Sequence, residues 1–340
     1  MQVCTLGWIW HHDVMNHLNR RDFCRRVTAT SLMGNIGVSL AQASVWPTKP
    51  VRMLVGFPAG STPDSSARAL ADGLANVLGQ PVVVENRPGA SGNLAADLVA
   101  KSHDDHTLGV VINGNLTSAK MLNPNLPYDP ARDFSFLSLL TTAPLALVAR
   151  ADLPEGTAFF EAAAQQGDRW NYGSVGAGSV AHLGMEQLKL KVPGLKPVHV
   201  PYQGNPAVIT ALLGGQIQMA LVPPGLAMPH VKSGRLRVVG LTGGRSTLVP
   251  ELESLSEFGV KNFNLEVWTA LIGPANLSKA ALERLSREVP AVVRSSATRQ
   301  KLFTQGWNAI GSSPEGLRTR VTDESAILGG IIKSANIKAE

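Results

Sequence analysis

Two turns rich in glycine and hydroxyl residues are the segments of this chain best suited to chemistry. The first spans residues 57–64 (FPAGSTPD) and the second spans residues 172–182 (YGSVGAGSVAH). Each follows an apolar stretch that predicts a strand and precedes a segment that predicts a helix. Glycine lets backbone N–H groups face a ligand, and a helix N-terminus adds unpaired N–H donors and a partial positive charge. The pair therefore predicts a clamp that holds a small carboxylate between two domains.

The segments around these turns alternate between strand and helix. Apolar strands are predicted at 51–55, 82–84 and 107–112, with helices between them, and the pattern restarts after Thr141. This alternation predicts an α/β fold with right-handed crossovers. We expect two α/β lobes joined by crossing strands, the second lobe being inserted into the first. The predicted boundaries are 44–145 and 267–340 for domain I and 146–266 for domain II.

The composition is that of a globular chain, with 5% aromatic and 16% charged residues. The formal net charge of +6 is spread along the chain. Because Lys and Arg do not cluster with stacking aromatic residues, we do not expect nucleic acid as a partner. No stretch supplies the roughly 18 apolar residues that a membrane-spanning helix needs.

Residues 1–43 are predicted to be an export signal rather than part of the fold. Basic residues at 20–26 precede a moderately apolar stretch at 27–40. Ala41-Gln42-Ala43 then forms a signal-peptidase site, with cleavage expected before Ser44. The sequence therefore predicts a periplasmic protein.

The export route and the true start of translation remain open. Arg20-Arg21 resembles a twin-arginine signal, but general secretory export fits as well. Met15 is a natural start, with Met1 an upstream over-extension. Because Cys4 and Cys24 both lie in this leader, the mature chain has no cysteine, which excludes a disulfide or a thiol nucleophile.

Two other patterns offer weaker chemistry. Residues 176–181 (GAGSVA) fit the dinucleotide fingerprint, but no acidic residue follows at the distance needed to bind a ribose. Residues 103–106 (HDDH) could ligate a metal, but charged turn residues are common before a strand, and we interpret them as a solvated turn. We expect neither a cofactor nor a metal.

Ser174 supports the alternative function. Residues 172–176 (YGSVG) resemble the nucleophile elbow of a hydrolase, with Tyr172 in place of its first glycine. With His182 or His199 as the base, the chain would be an exported serine hydrolase. The sequence offers no convincing relay acid near either histidine, so ligand binding without catalysis is the favoured interpretation.

The mature chain resembles a known family over essentially all of residues 46–330. It is similar to the periplasmic solute-binding proteins of the tripartite tricarboxylate transporter group, often called the Bug family. Seven segments in the same order carry the resemblance: 46–50 (WPTKP), 57–64, 85–92 (ENRPGASG), 126–130 (LPYDP) with Asp133-Phe134, 172–183, 199–204 (HVPYQG) and 212–216 (LLGGQ).

The resemblance implies a two-lobed periplasmic binding protein of the type II, Venus flytrap kind. Members bind small carboxylates by pinching one carboxylate between the two glycine loops, through main-chain N–H groups and ordered water. It also implies a monomer without catalytic activity, serving membrane transporter components or acting as a sensor. The expected ligand-binding residues are Pro58, Ala59, Gly60, Ser61, Thr62, Asp64, Asn113, Ser174, Val175, Gly176, Ala177, Gly178, Ser179, His182 and Tyr202. Of these, Asp64 and His182 match positions that support the loops in the family, and Tyr202 matches a tyrosine near the cleft.

Departures from the family pattern bear on the ligand. Ala59 and Ser61 stand where the family usually has proline and glycine, and residues 221–224 (LVPP) lack an acidic residue that the family often shows. An α-amino acid needs a partner for its ammonium, because burying an unpaired charge is costly. We therefore expect a carboxylate without an ammonium, such as a di- or tricarboxylate or an aromatic acid.

Overall fold

The backbone of residues 46–338, which the computed structural model describes, forms two β-sheets covered by helices. The predicted export signal, residues 1–43, lies outside the described residues, so its cleavage and route stay predictions. Within 46–338, none of the helices combines the length and the hydropathy needed to cross a lipid bilayer.

The first part of the chain builds the parallel half of a six-stranded sheet. Strand β1 (Val51–Val55) lies between β2 (Val82–Asn86) and β3 (Thr107–Ile112). The helices α1 (Thr62–Leu78) and α2 (Asn93–Ala100) connect these strands, which confirms the predicted alternation. Helix α1 is amphipathic, and its buried leucines 70, 74 and 78 recur at helical spacing.

Antiparallel pairing begins after β3. Two short helices, α3 (Asn113–Leu116) and α4 (Ser118–Leu122), occupy the segment after this strand. The long strand β4 (Phe134–Pro144) then joins the same sheet. Buried residues occupy almost all of β4, so its sequence shows no alternation of polar and apolar positions.

The middle of the chain forms a five-stranded sheet with strand order β7-β6-β8-β5-β9. Strands β6, β7 and β8 are parallel, whereas β5 runs antiparallel to both of its neighbours. The elements are β5 (Ala146–Arg150), α5 (Gly156–Gln166), β6 (Asn171–Ser174), α6 (Val180–Lys191), β7 (Val198–Pro201), α7 (Asn205–Leu213), β8 (Met219–Val222), α8 (Pro224–Lys232) and β9 (Leu236–Leu241).

The C-terminal part returns to the six-stranded sheet, whose order is β11-β4-β10-β3-β1-β2. Its elements are β10 (Glu266–Pro274), α9 (Lys279–Arg294), α10 (Ser296–Thr304), β11 (Asn308–Ala309) and α11 (Pro314–Ser334). We call the six-stranded sheet with its helices lobe I and the five-stranded sheet with its helices lobe II.

The described backbone passes between the sheets at two places, and Thr242 ties them together. Strand β4 ends at Pro144 and β5 begins at Ala146, while the return enters β10 at Glu266. The Thr242 hydroxyl accepts a hydrogen bond from the Leu145 N–H (2.9 Å) and donates to the Leu265 carbonyl (2.6 Å). We propose that the domains divide where the sequence predicts, between residues 145 and 146 and between residues 266 and 267. These positions border the two crossings.

The residues before β1 pack on lobe I through His106. The His106 Nε2 accepts a hydrogen bond from the Thr48 N–H (3.0 Å), and its ring lies 5.6 Å from that of Trp46. Its Nδ1 lies 2.8 Å from the Asp105 carboxylate, so neither ring nitrogen faces open solvent. The interpretation of residues 103–106 as a solvated turn is therefore wrong for His106, which is buried because the N-terminal segment covers it.

The hydrogen bonds of the Thr242 hydroxyl at the crossings predict what its removal does to stability. Thr242→Val should lower the free energy of unfolding of the mature chain by about 1–3 kcal/mol, because a buried N–H and a buried carbonyl lose their partner. Thr242→Ser, which keeps the hydroxyl, is the control and should lose less. Urea unfolding of the three proteins measures this, and equal losses in the Val and Ser variants would contradict a role for the hydroxyl.

Candidate functional site

The first turn is fixed by a carboxylate four residues after its glycine. Gly60 has a left-handed backbone (φ +77°), and its N–H donates to the Asp64 carboxylate at 2.9 Å. Asp64 is buried and also accepts hydrogen bonds from Arg68 and Asn86. Burial alone would raise the pKa of Asp64, but these three hydrogen bonds outweigh it and lower the pKa. Asp64 is thus a charged group that holds the turn in place.

The second turn uses the same spacing with a neutral acceptor. Gly178 (φ +75°) donates its N–H to His182 Nδ1 at 3.1 Å, four residues later. Ser179 caps α6, since its hydroxyl accepts from the His182 N–H at 3.2 Å. Gly176 (φ +121°) donates its N–H to the Ser174 hydroxyl at 3.1 Å. The turn is therefore held from both sides by residues of the predicted set.

His182 keeps the acceptor lone pair that this turn requires. Burial, together with the nearby His199, lowers its pKa from 6.5 to about 4. The two imidazole rings stack with centroids 4.2 Å apart. A protonated imidazole has no acceptor nitrogen, so the hydrogen bond from Gly178 requires the neutral ring.

A cavity of about 350 Å³ lies between the lobes, bordered by Phe57 at the start of the first turn and by residues 175–177 of the second. Among residues 46–338, those that line it carry no charged side chain. The lining residues are Gly56, Phe57, Gly89, Ala90, Ser91, Gly92, Val175, Gly176, Ala177, Pro201, Tyr202 and Gln203. The polar side chains in this lining are therefore the hydroxyls of Ser91 and Tyr202 and the amide of Gln203.

Each turn also contacts the opposite lobe. The Asn205 amide of lobe II donates to the Thr62 hydroxyl of lobe I at 3.1 Å. The Ser118 hydroxyl of lobe I donates to the Gly178 carbonyl of lobe II at 2.6 Å. The N-terminal end of α1 and the second turn thus join the lobes.

The predicted site residues divide into lining residues and supporting residues. Val175, Gly176, Ala177 and Tyr202 line the cavity of about 350 Å³. Ser61, Thr62 and Ser179 instead border a void of about 20 Å³ between the lobes, and Gly178 borders another of about 10 Å³. Pro58, Ala59, Gly60, Asp64, Asn113, Ser174 and His182 line none of these three spaces.

Asn113 is directed away from the cavity. Its amide donates to the Glu324 carboxylate of α11 at 2.7 Å and to the Glu266 carbonyl at 3.2 Å. Trp268 donates to the same carboxylate at 2.5 Å. Burial raises the pKa of Glu324 in spite of these donors. Asn113 therefore joins three elements of lobe I, a role that its position after a strand could not indicate.

Ser174 and His199 form a close pair, but the serine is not placed for attack on a substrate. The Ser174 Oγ lies 2.7 Å from His199 Nε2 and also bonds to the N–H and the carbonyl of Gly176. The side chain is buried, with 1% exposure. The pair holds the second turn, so the geometry gives no support to the hydrolase alternative.

A third glycine turn lines the cavity and was missed as a binding element. Residues 89–92 all have positive φ, including Ala90 (+48°) and Ser91 (+55°). Left-handed residues other than glycine are uncommon and cluster at ligand clamps. The motif 85–92 was quoted for the family resemblance, and its position after β2 repeats the strand-then-glycine pattern of the other turns. Gln203, beside Tyr202, was missed as well.

A larger cavity of about 680 Å³ lies along the crossings, but none of the predicted site residues lines it. Its charged groups include Arg320 and Glu266, which pair with each other at 2.9 Å, and Arg245, which pairs with Glu257 at 2.7 Å. Counting Asp323 and Glu324 as well, three acidic side chains and two arginines line this cavity, a balance that disfavours an anion. We therefore take the cavity between the glycine turns as the candidate site.

The lowered pKa of His182 predicts a pH dependence of stability. In the unfolded chain a histidine gains its proton near pH 6.5, whereas in the folded chain His182 stays neutral down to about pH 4. The neutral His182 therefore contributes fully to the free energy of unfolding above pH 6.5. This contribution is lost as the pH falls from 6.5 toward 4.

Between pH 7.5 and 4.5, the free energy of unfolding should fall by up to roughly 3 kcal/mol more in the parent than in His182→Asn. Asn keeps an acceptor oxygen but does not titrate. The exposed His103, changed to Asn, serves as the control. Urea unfolding at both pH values measures this, and an identical pH dependence in parent and His182→Asn would contradict it.

Comparison with known proteins places the chain in a family. Residues 66–337 match the family described as the tripartite tricarboxylate transporter family receptor. A UPF0065 protein of Bordetella pertussis is 30% identical, and the match covers 93% of this chain and 98% of that protein.

Two solved structures are similar to this chain in both fold and sequence. Rpa4515 of R. palustris, with adipate, has a TM-score of 0.83 and 28% identity, covering 87% of this chain and 100% of that one. MatC of Rhodopseudomonas palustris, with bound malate, has a TM-score of 0.79 and 28% identity, covering 84% of this chain and 100% of that one. The two α/β lobes described above agree with this likeness, and the chain belongs to the tripartite tricarboxylate transporter receptor family.

Proposed function

We propose that this protein is an exported receptor that captures a small organic carboxylate, without an ammonium group, between its two lobes. The captured acid is presented to membrane components of a tripartite tricarboxylate-type transporter or is sensed. The observation that carries the proposal is the cavity of about 350 Å³ between the lobes. It is bordered by Gly56-Phe57, by the turn at 89–92 and by residues 175–177, and among residues 46–338 its lining side chains are uncharged.

Backbone donors supply the recognition of the carboxylate. Gly60 and Gly178 do not line this cavity, but their N–H groups are committed to Asp64 and His182, which holds the backbone of the two turns in place beside it. Oriented N–H groups bind anions well where water is excluded, because they need no reorganisation. The turns therefore hold a carboxylate without Lys or Arg in the cavity wall.

The uncharged wall also selects against an ammonium. Asp64, the acidic residue of the first turn, is buried under Gly60, Arg68 and Asn86 and does not line the cavity. An amino-acid ligand would bury its ammonium without a carboxylate partner, at a cost of several kcal/mol. Rpa4515 with adipate and MatC with malate are both relatives whose ligands lack an ammonium, which supports this ligand class.

The remaining parts of the proposal follow from the sequence. Residues 1–43 would direct export to the periplasm and be removed before Ser44. The protein would act without catalysis, since Ser174 supports a turn and does not line the cavity. That it acts as a monomer is proposed from the family resemblance alone.

Isothermal titration of the mature protein with matched ligands tests the function. Aspartate is succinate with one added α-ammonium, so the two compounds differ in the group at issue. We expect binding of at least one of succinate, malate, adipate, citrate and benzoate, with aspartate at least about 100-fold weaker than succinate if succinate is bound. Tight binding of aspartate or glutamate alone would refute the ligand class, and no binding by any of these acids would refute the function.

The uncharged wall predicts the effect of adding a negative charge to it. Gln203→Glu, which is nearly isosteric, should weaken carboxylate binding about fivefold at low salt through charge repulsion. The effect should shrink as salt is added, because the group is exposed. Gln300→Glu, at an exposed position on α10, changes the net charge equally and should leave affinity unchanged. Equal affinities of the two variants would contradict this placement of the ligand.

A further inference from the structure

A second kind of contact between the lobes involves backbone alone. Gly225 is the second residue of α8 in lobe II, and it faces the turn at Gln305–Gly306, between α10 and β11 of lobe I. A Cβ atom placed on Gly225 would lie 2.1 Å from the Gln305 carbonyl oxygen and 3.1 Å from the Gly306 Cα. Real Cβ atoms essentially never approach other atoms to less than 3.0 Å. An alanine therefore does not fit at Gly225 while the lobes keep this arrangement.

The contact is equally close from the other side. A Cβ atom on Gly306 would lie 2.8 Å from the Gly225 Cα and 2.9 Å from its nitrogen. All of the nearest atoms belong to the backbone, so no side-chain rotation can make room. Gly306 also has a left-handed backbone (φ +82°), which favours glycine independently of the contact.

The turn in lobe I has little freedom to yield. The Gly306 N–H donates to the Phe303 carbonyl at 2.9 Å, and the Trp307 N–H donates to the Leu302 carbonyl at 3.0 Å. Both Trp307 and Leu302 are buried. Because the turn is held by the core of lobe I, the space for a Cβ atom can be made most easily by moving one lobe relative to the other.

The three atoms nearest to a Cβ on Gly225 all belong to lobe I rather than to lobe II. The residue lies in the helix α8, and the close atoms belong to Gln305 and Gly306. Alanine is a better helix former than glycine. The substitution therefore separates the contact between the lobes from the folding of either lobe.

We propose that the pairing of Gly225 with Gly306 sets how closely the two lobes approach, and that these glycines determine ligand affinity without touching the ligand. The link to affinity rests on the proposed function, since a carboxylate held by donors from both lobes is bound only when the lobes are close. Neither glycine lines the cavity of about 350 Å³. The coupling acts through the distance between the turns that do line it.

The approach of the lobes can be measured without a ligand. Thr62 and Asn205 contact each other across the lobes, and the mature chain has no cysteine of its own. In the double variant Thr62→Cys with Asn205→Cys, a short thiol-bridging reagent such as dibromobimane becomes fluorescent when both thiols react. Adding Gly225→Ala should slow this bridging at least about fivefold. Gly330→Ala, in α11 where a Cβ atom meets nothing within 4 Å, should leave the rate unchanged.

Affinity is measured in proteins with Thr62 and Asn205 intact, by titration with the acid that the parent binds. Gly225→Ala should weaken binding about tenfold or more, while Gly330→Ala binds as the parent does. A bridging rate or an affinity of Gly225→Ala equal to that of the parent overturns the proposal. If the parent binds no carboxylate, the proposed function fails, and the bridging rate still decides whether the glycines control the lobes.

A second pair of variants covers the case in which Gly225→Ala fails to fold. Gly306→Ala carries both the left-handed strain and the contact, whereas Gly234 has a similar φ of +71° and no atom within 4 Å of a Cβ. Gly306→Ala should slow bridging more than Gly234→Ala does. Equal rates in these two variants overturn the proposal.

Discussion

An anion site without cationic side chains depends on backbone N–H groups that cannot turn away. In this protein each of the two main turns is fixed by the same device, a glycine N–H that donates to a buried acceptor four residues later. Asp64 performs this role as a carboxylate whose pKa is lowered, and His182 performs it as an imidazole that burial keeps neutral. Under the proposed function, the ligand would meet peptide groups whose direction was set when each lobe folded, so little orientation would have to be gained on binding.

The same constraint explains why many predicted site residues do not face the cavity. Asp64, His182 and Ser174 all hydrogen-bond to the backbone of the turns. Within lobe II, the stack of His182 on His199 and the hydrogen bond between Ser174 and His199 connect the second turn to β7. Polar residues that resemble a catalytic set thus serve as a scaffold, because buried polar atoms need partners and the turns supply them.

Two crossings connect the lobes within residues 46–338, and Thr242 joins the segments that form them. The buried carboxylate of Glu324 ties α11 to Trp268 of β10 and to Asn113. Both ties keep the crossings in register with lobe I. Further from the crossings the lobes meet through hydrogen bonds at the turns and through the glycine pair Gly225 and Gly306. At these places the lobes meet through backbone atoms and short polar side chains.

The sequence predicted the parallel half of lobe I and the two main glycine turns correctly. Periodicity locates β1, α1 and β3, because a strand buried on both faces and a helix with one apolar face leave local signals. It did not indicate that α3 and α4 follow β3, since the segment after that strand reads as a turn. The resemblance named His182 and Asp64 as supports of the loops, and a hydrogen bond to each glycine is present.

What the sequence determined by itself was the α/β class and the position of two glycine turns at helix starts, from which recognition of a carboxylate through the backbone is a prediction. Tertiary structure alone decided which side chains face the ligand space. Asn113 turns to Glu324, Ser91 joins the cavity, and Gly225 meets the distant turn at Gln305 in the other lobe. The physical reason is that side-chain direction and contacts between lobes depend on non-local packing, for which a single sequence carries no periodic signal.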